Sequence, residues 1–319
     1  FSTNIAEDEL LIYGSLGTGT WLTQETKTRA SSSYMLNLTV LPNTDGVSRT
    51  AYIYFVKVTD MESIVVEMVT IIQRGEVASE TTDYSSDKKV RVLQTAKLGK
   101  GLPIVLMGDG FIDTEINDGT YDAVMDKAFE NLFTEEPIKS LRDYFNVYAV
   151  TAVSKHNIFG TGYETALGCE LAGGNSTGIS GEDNAVQRYV QCVDNIDMSE
   201  TLAVVILNSP AYAGTTYFGY TNQTKVVEFA IAYCPVIYDL QSESFRQVLV
   251  HEAVGHGFAK LEDEYAYQEN GTISSKEIKN VQYLQTLGWA QNVDFTSDPS
   301  QVLWSAFLND NRYVSEKLG

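Results

Sequence analysis

Short runs of apolar residues punctuate the first quarter of the chain. Residues 36–40, 51–58 and 64–72 are rich in β-branched and aromatic side chains and carry no helical period, so they read as strands. Pro42-Asn43-Thr44-Asp45-Gly46 separates the first two, combining the fixed φ of proline with a glycine that tolerates φ > 0. Strands joined this way predict a small N-terminal β-sandwich. Residues 76–100 are polar without an apolar period, which predicts a linker there and a boundary near residue 95.

After the linker the pattern changes. Residues 102–107 form an apolar run of the buried-strand type, followed by the Gly108-Asp109-Gly110-Phe111 turn and a helical pattern over 121–133. Strands at 145–153 and 201–207 flank a helix at 185–193. Alternating strands and helices predict an α/β domain with a mixed sheet over residues 96–319, making the whole chain α+β. Two domains also suit a length of 319 residues.

Composition narrows the function. The chain is 44% hydrophobic and 20% charged, an ordinary globular balance. Its formal charge of −20 repels a phosphate backbone, so nucleic acid is not an expected partner. No run approaches the roughly 20 apolar residues of a membrane span. The numbering opens at Phe1 rather than Met, so any targeting segment lies upstream of it, a lipid anchor being one form it could take. Cys169, Cys192 and Cys234 are too few for a disulfide scaffold and wrongly spaced for a thiolate metal site. They allow one bridge, Cys169 with Cys192, or three free thiols.

The chemistry concentrates in Val250-His251-Glu252-Ala253-Val254-Gly255-His256-Gly257-Phe258, followed by Leu261-Glu262-Asp263-Glu264-Tyr265. The only other histidine is His156, which reads as a surface or hydrogen-bonded residue. Ser244 with Gln247 forms a candidate capping box for the helix, and Phe245 with Leu249 supplies its inward stripe. Zinc helices usually space their histidines four apart, about 40° of each other on one face. Here the spacing is five. A regular α-helix would turn the second imidazole about 140° away from the first. One π-bulge between Glu252 and His256 returns both to the same side, and Gly255 tolerates the distortion.

With that geometry, His251 and His256 become zinc ligands and Glu252 the general base for water acidified by the metal. The third ligand is sought in the acidic triplet, with Asp263 first, Glu264 second and Glu262 third. The alternative is a helix whose histidines merely pack in a polar core. Asp109, Asp113, Glu115 and Asp118 form a second acidic group, either a calcium site or a solvated face, and Asp109 reads as fixing the backbone of its turn. The segment from Leu207 to Gly214 ends a strand. It either brings an edge strand to an extended peptide or only closes the sheet. Trp289, Trp304 and Tyr313 read as core or lid residues.

HEAVGHGFAKLEDEY, with Gly108-Asp109-Gly110-Phe111 and Phe145-Asn146-Val147-Tyr148, resembles the IgA-peptidase-type zinc metallopeptidases common in gut bacteria, over roughly residues 96–319. The resemblance implies ligand, general base and ligand for His251, Glu252 and His256. It also implies a zincin-type domain and a protein or peptide substrate. Members often have glycine at the position of Ala259, and they continue into a Gly-rich segment and a Met-containing turn. The domain is therefore expected to be C-terminally incomplete at Gly319. Residues 43–75, with Asn-x-x-Gly-x-x-Arg and a last strand ending Ile72-Gln73-Arg74-Gly75, resemble the BACON-type immunoglobulin-like modules of Bacteroidetes surface proteins. That resemblance implies a spacer or carbohydrate-contacting module. The expectation is a zinc-dependent endopeptidase that is secreted, periplasmic or anchored at the outer membrane, and monomeric. The alternatives are a zinc amidase on a non-protein amide and a surface adhesion or glycan-binding protein with a vestigial zinc site.

Overall fold

The computed structural model describes residues 10–15, 22–30, 33–40, 49–59, 63–73, 79–160, 162–171, 178–218, 228–264, 272–308 and 310. Five N-terminal strands come first: β1 (Leu10–Ser15), β2 (Leu22–Ala30), β3 (Ser33–Val40), β4 (Arg49–Val58) and β5 (Ser63–Gln73). They form two small antiparallel sheets, β1-β4-β5 and β2-β3. The three strands read from sequence lie within β3, β4 and β5, while the 42–46 turn falls outside the described residues. In β4, Ala51, Ile53 and Phe55 are buried and Tyr52 is exposed, the alternation of a half-covered sheet.

The larger unit is built on a six-stranded mixed sheet. Its strands are β6 (Val90–Gln94), β7 (Leu102–Asp109), β8 (Phe145–Val150), β11 (Leu202–Leu207), β12 (Thr215–Phe218) and β13 (Ala230–Pro235), in the order β12-β13-β11-β7-β8-β6. The short hairpin β9 (Glu170–Leu171) with β10 (Ile179–Ser180) stands apart from it. The four central strands run parallel, and β12 and β6 close the edges antiparallel. Wholly apolar runs such as LAVVIL in β11 suit this position because parallel strands are covered on both faces.

Helices supply the two covers. Ile104, Leu106, Val204, Ile206 and Ala232 share one core with α2 (Thr120–Leu132), α4 (Glu243–Leu249) and the π-helix that continues it (Val250–Phe258). Val105, Met107, Val205 and Tyr233 face α3 (Asp183–Val190) on the other side. Two further helices are α1 (Asp113–Asn117) and α5 (Ser275–Thr286). Among the described residues, no helix is long and apolar enough to cross a membrane.

One sequence expectation needs correction, and two that were left open are decided. The stretch read as linker carries β6, and before it Thr82 N, Thr82 Oγ1 and Asp83 N all donate to Asp113 Oδ2. No apolar period marks this stretch because Thr82 and Asp83 are held by a side chain distant in sequence and β6 by pairing at the sheet edge. The cysteines are free, and the proposed Cys169 to Cys192 bridge is not formed. The acidic group from Asp109 to Asp118 does not converge on one point. Asp113 is occupied as above, Glu115 bonds Ile112 N and Asn208 Nδ2, and Asp118 bonds Thr120 N.

Asp109, read from sequence as fixing the backbone of its turn, instead bonds from inside the protein to Ser154 and the 165–169 loop. Its side chain is 0% exposed. Oδ1 accepts from Ser154 Oγ (3.1 Å) and Leu167 N (3.0 Å), and Oδ2 accepts from Thr165 Oγ1 (2.7 Å) and Cys169 N (3.0 Å). Four donors of this kind require an acceptor on both oxygens. In Asp109→Asn, an NH2 group would face two N–H or O–H donors, so chemical denaturation should show a loss of about 2–3 kcal/mol. An unchanged unfolding midpoint would show that the network contributes little.

Candidate metal centre

The metal helix begins earlier than its sequence suggests. Ser242, not Ser244, is the cap: its backbone is extended and its Oγ accepts from Phe245 N at 3.0 Å. Gln247 instead donates to Glu243 at 3.2 Å. Phe245 and Leu249 are fully buried, as their spacing indicates. From Val250 the helix widens into a nine-residue π-helix reaching Phe258. Ala259 N bonds Val254 O at 2.9 Å, a five-residue step. The distortion expected between Glu252 and His256 therefore lies within a longer π segment.

The glycine that this packing demands is Gly257 rather than Gly255. A Cβ at Gly257 would lie 2.6 Å from Leu202 Cδ1, whereas one at Gly255 would meet nothing closer than Val250 O at 3.9 Å. The helix thus lies directly on β11. The chain then leaves it through Lys260, which has φ 55, while Ala259 keeps right-handed helical angles. Alanine in place of glycine at 259 is therefore compatible with the turn.

Lys260 holds that exit from within. Its Nζ donates to Glu228 O at 2.9 Å and to Gly257 O, and it lies 5.7 Å from the Phe218 ring centroid and 5.8 Å from that of Trp289. Burial pushes its ammonium down to about 8, with the Glu228 charge pulling the other way.

The widened turn brings His251 Nε2 to 3.1 Å from His256 Nε2, with the rings nearly perpendicular. Asp263 Oδ1 lies 3.2 Å from each of these nitrogens. Glu264 is turned toward Asn292 Nδ2 (3.0 Å), and the backbone of Glu262 is bonded to Asn292. Of the three acids in the triplet, the first choice from sequence is the one beside the imidazoles. One ligand atom from each of His251, His256 and Asp263 lies within 4.8 Å of the others, so the three can hold a metal ion.

The donor set fits such an ion. Tetrahedral coordination with bonds near 2.0–2.1 Å separates neighbouring ligand atoms by roughly 3.3 Å, close to the spacings observed. His256 Nδ1 contacts Leu261 O at 2.7 Å, which assigns the ring proton to Nδ1 and the lone pair to Nε2. A shared proton satisfies only one pair of these three atoms, whereas a central cation satisfies all of them. His251 and Asp263 are 46% and 42% exposed, so the cluster opens to solvent on that side.

Glu252 faces inward and is 7% exposed. The Thr216 hydroxyl lies 2.8 Å from Glu252 Oε2 and 2.9 Å from its backbone carbonyl. Burial raises the carboxyl above its ordinary value, while the Thr216 hydrogen bond and the neighbouring imidazoles oppose that rise. Gly214 flanks the Oε1 side and keeps it open, since a Cβ there would lie 2.6 Å from Oε1 and 2.8 Å from Cγ. Gly214 lies in the segment singled out from sequence, but nothing in the sequence marked Thr216. His156 Nδ1 accepts from Glu164 N at 2.9 Å, and the ring lies apart from the cluster as a hydrogen-bonded histidine. Trp289 is buried, as its core reading predicts.

A mixed α/β sheet carrying a helix with two histidines, a buried glutamate between them and a convergent carboxylate is the arrangement of a protein that can hold a metal ion. The chain belongs to the IgA Peptidase M64 family, whose model matches residues 90–315, and the model of the N-terminal BACON domain matches residues 11–74. The protein is accordingly a peptide-bond hydrolase. No curated protein matches the chain.

Two outcomes are expected. Gly214→Ala puts a Cβ within 2.8 Å of both Glu252 and Val248 Cγ1; with Glu252 in the role proposed below, a shift of about 1 Å lowers peptidase turnover about 100-fold in a folded protein. Turnover within a factor of three of wild type would show that the carboxylate tolerates the methyl group. For Lys260, the folded state binds fewer protons than the unfolded state between about pH 8 and the ordinary 10.5. Unfolding free energy from this residue therefore rises with pH across that window, by about 3 kcal/mol in all. The difference between wild type and Lys260→Met in denaturation series at stepped pH should trace that rise, and a flat difference would contradict it.

Proposed function

We propose that the protein is a zinc-dependent endopeptidase in which His251, His256 and Asp263 hold the metal and Glu252 transfers protons. The observation that carries this reading is the mutual approach of three ligand atoms to 3.1–3.2 Å beside a buried glutamate. Zinc held there supplies a Lewis acid that acidifies water and polarises a peptide carbonyl.

Glu252 Oε2 is oriented by the Thr216 hydroxyl, leaving Oε1 to take the proton from the attacking water. The same carboxyl then releases that proton to the departing amine. Burial favours its neutral form, so the proton taken up is retained until the amine leaves. Strand β12, which carries Thr216, is an edge of the six-stranded sheet, and an extended substrate aligns along that edge.

The remainder of the reading concerns the setting of this chemistry. The catalytic domain has the zincin arrangement, and the N-terminal strands form an immunoglobulin-like sandwich that acts as a spacer. The chain works outside the cytoplasm as a monomer, either secreted, periplasmic or anchored at the outer membrane. The BACON model, described as a binding domain, supports a non-catalytic role for these strands.

Glu252→Gln should retain stoichiometric zinc while hydrolysis of an unfolded protein such as casein falls about 10²–10⁴-fold. Metal analysis and peptide release on the same samples check both parts. Wild-type turnover in the variant would remove Glu252 from the chemistry. Stoichiometric zinc with no peptide hydrolysis by the wild-type chain would favour a binding protein with a vestigial site.

A further inference from the structure

We infer that Asn292 is the positioning residue for Asp263, holding its carboxylate in register with the two imidazoles and tying Glu264 away from the metal. The inference rests on the metal site proposed above.

The segment leaving the π-helix is secured step by step. Lys260 N bonds His256 O (3.2 Å), Leu261 N bonds Gly255 O (3.0 Å), and Leu261 O meets His256 Nδ1 (2.7 Å). At Glu262 the helix no longer supplies partners. Both backbone groups of Glu262 are taken by one side chain: its N–H donates to Asn292 Oδ1 (3.0 Å), and Asn292 Nδ2 donates to its carbonyl (2.7 Å). This two-point ring does for one residue what a strand partner does for many. The second amide N–H reaches Glu264 Oε1 at 3.0 Å.

The orientation of the amide follows from this bonding. Flipping it would set NH2 against N–H and oxygen against oxygen. Asp263 thus sits between two residues tied to the same amide, and its Oδ1 lies 3.2 Å from both Nε2 atoms. Glu264 has equal charge and a longer reach, and its own chemistry does not exclude it from a cation. Its tether to Asn292 does.

Asn292 is itself held. Gly288 (φ 81) and Ala290 (φ 52) turn the chain after α5, and Ala290 N donates to Lys260 O at 2.8 Å. Gln285 Nε2 ties down Ala290 O and Val293 O. Buried Trp289 packs edge-on against Phe218 of β12. The amide therefore projects from a turn anchored to the strand that also orients Glu252.

The test compares the whole 319-residue chain with Asn292→Ala, Asn292→Asp and His251→Ala. Zinc affinity is measured by competition with a chromophoric chelator, ligand geometry by the visible spectrum of the cobalt(II) form, and folding by thermal melts of the metal-free proteins. Asn292→Ala should bind zinc about 10–100-fold more weakly, with an altered cobalt spectrum and a metal-free melting temperature near wild type. Asn292→Asp keeps the acceptor for Glu262 N but loses both donors, and should weaken zinc at least as much. It carries the comparison should the alanine variant fail to fold.

Wild-type affinity and spectrum in a folded Asn292 variant, with His251→Ala losing zinc, would overturn the role of Asn292 alone. Unchanged affinity in His251→Ala would overturn the metal site itself. A metal-free melt lowered in step with affinity in both Asn292 variants would reduce Asn292 to a general stabiliser of the fold and overturn the inference.

Discussion

The catalytic unit depends on one widened helical turn. In α geometry, the side chains of residues 251 and 256 diverge by about 140°. The π-helical segment from Val250 to Phe258 removes that divergence and sets the two Nε2 atoms 3.1 Å apart. The same turn sends Glu252 inward, so one segment presents ligands to solvent and a carboxyl to the interior. Gly257 lets the turn lie against Leu202, and Ser242 caps its α-helical lead-in. Each neighbouring feature either permits this distortion or makes use of it.

Two buried carboxyl groups show how surroundings assign different work to similar side chains. Asp109 accepts four hydrogen bonds, two on each oxygen, and these saturate it as a clamp for the 165–169 loop. Glu252 has one side-chain donor, Thr216, on one oxygen. Burial then governs its proton affinity, with the Thr216 hydroxyl and the imidazoles in opposition. A saturated carboxylate holds structure, while a sparsely bonded one beside a metal position is suited to exchanging a proton.

Much of this was legible in the sequence, for reasons that differ by element. The central strands were readable because doubly covered parallel strands must be apolar throughout, as in β7 and β11. The π distortion was readable because a five-residue spacing has few other ways to place two imidazoles together. Strand β6 was missed because five residues, VRVLQ, are too few for a pattern to stand out, and an edge strand can pair with its valines exposed. The cap was misplaced by two residues because Ser242 and Ser244 offer the same hydroxyl, and only the extended backbone at Ser242 distinguishes them. Thr216 and Asn292 act through contacts 36 and 30 residues distant in sequence, which no local pattern encodes.

The π-helix also has a consequence for how such a chain evolves. A widened turn is what remains when a regular helix absorbs one additional residue while both of its ends stay docked. Here the docked ends are the serine cap on one side and the buried lysine on the other. An insertion or deletion between the two histidines is therefore a short evolutionary step: it changes the ligand spacing, and any motif search tuned to one spacing will overlook relatives that differ by that single codon.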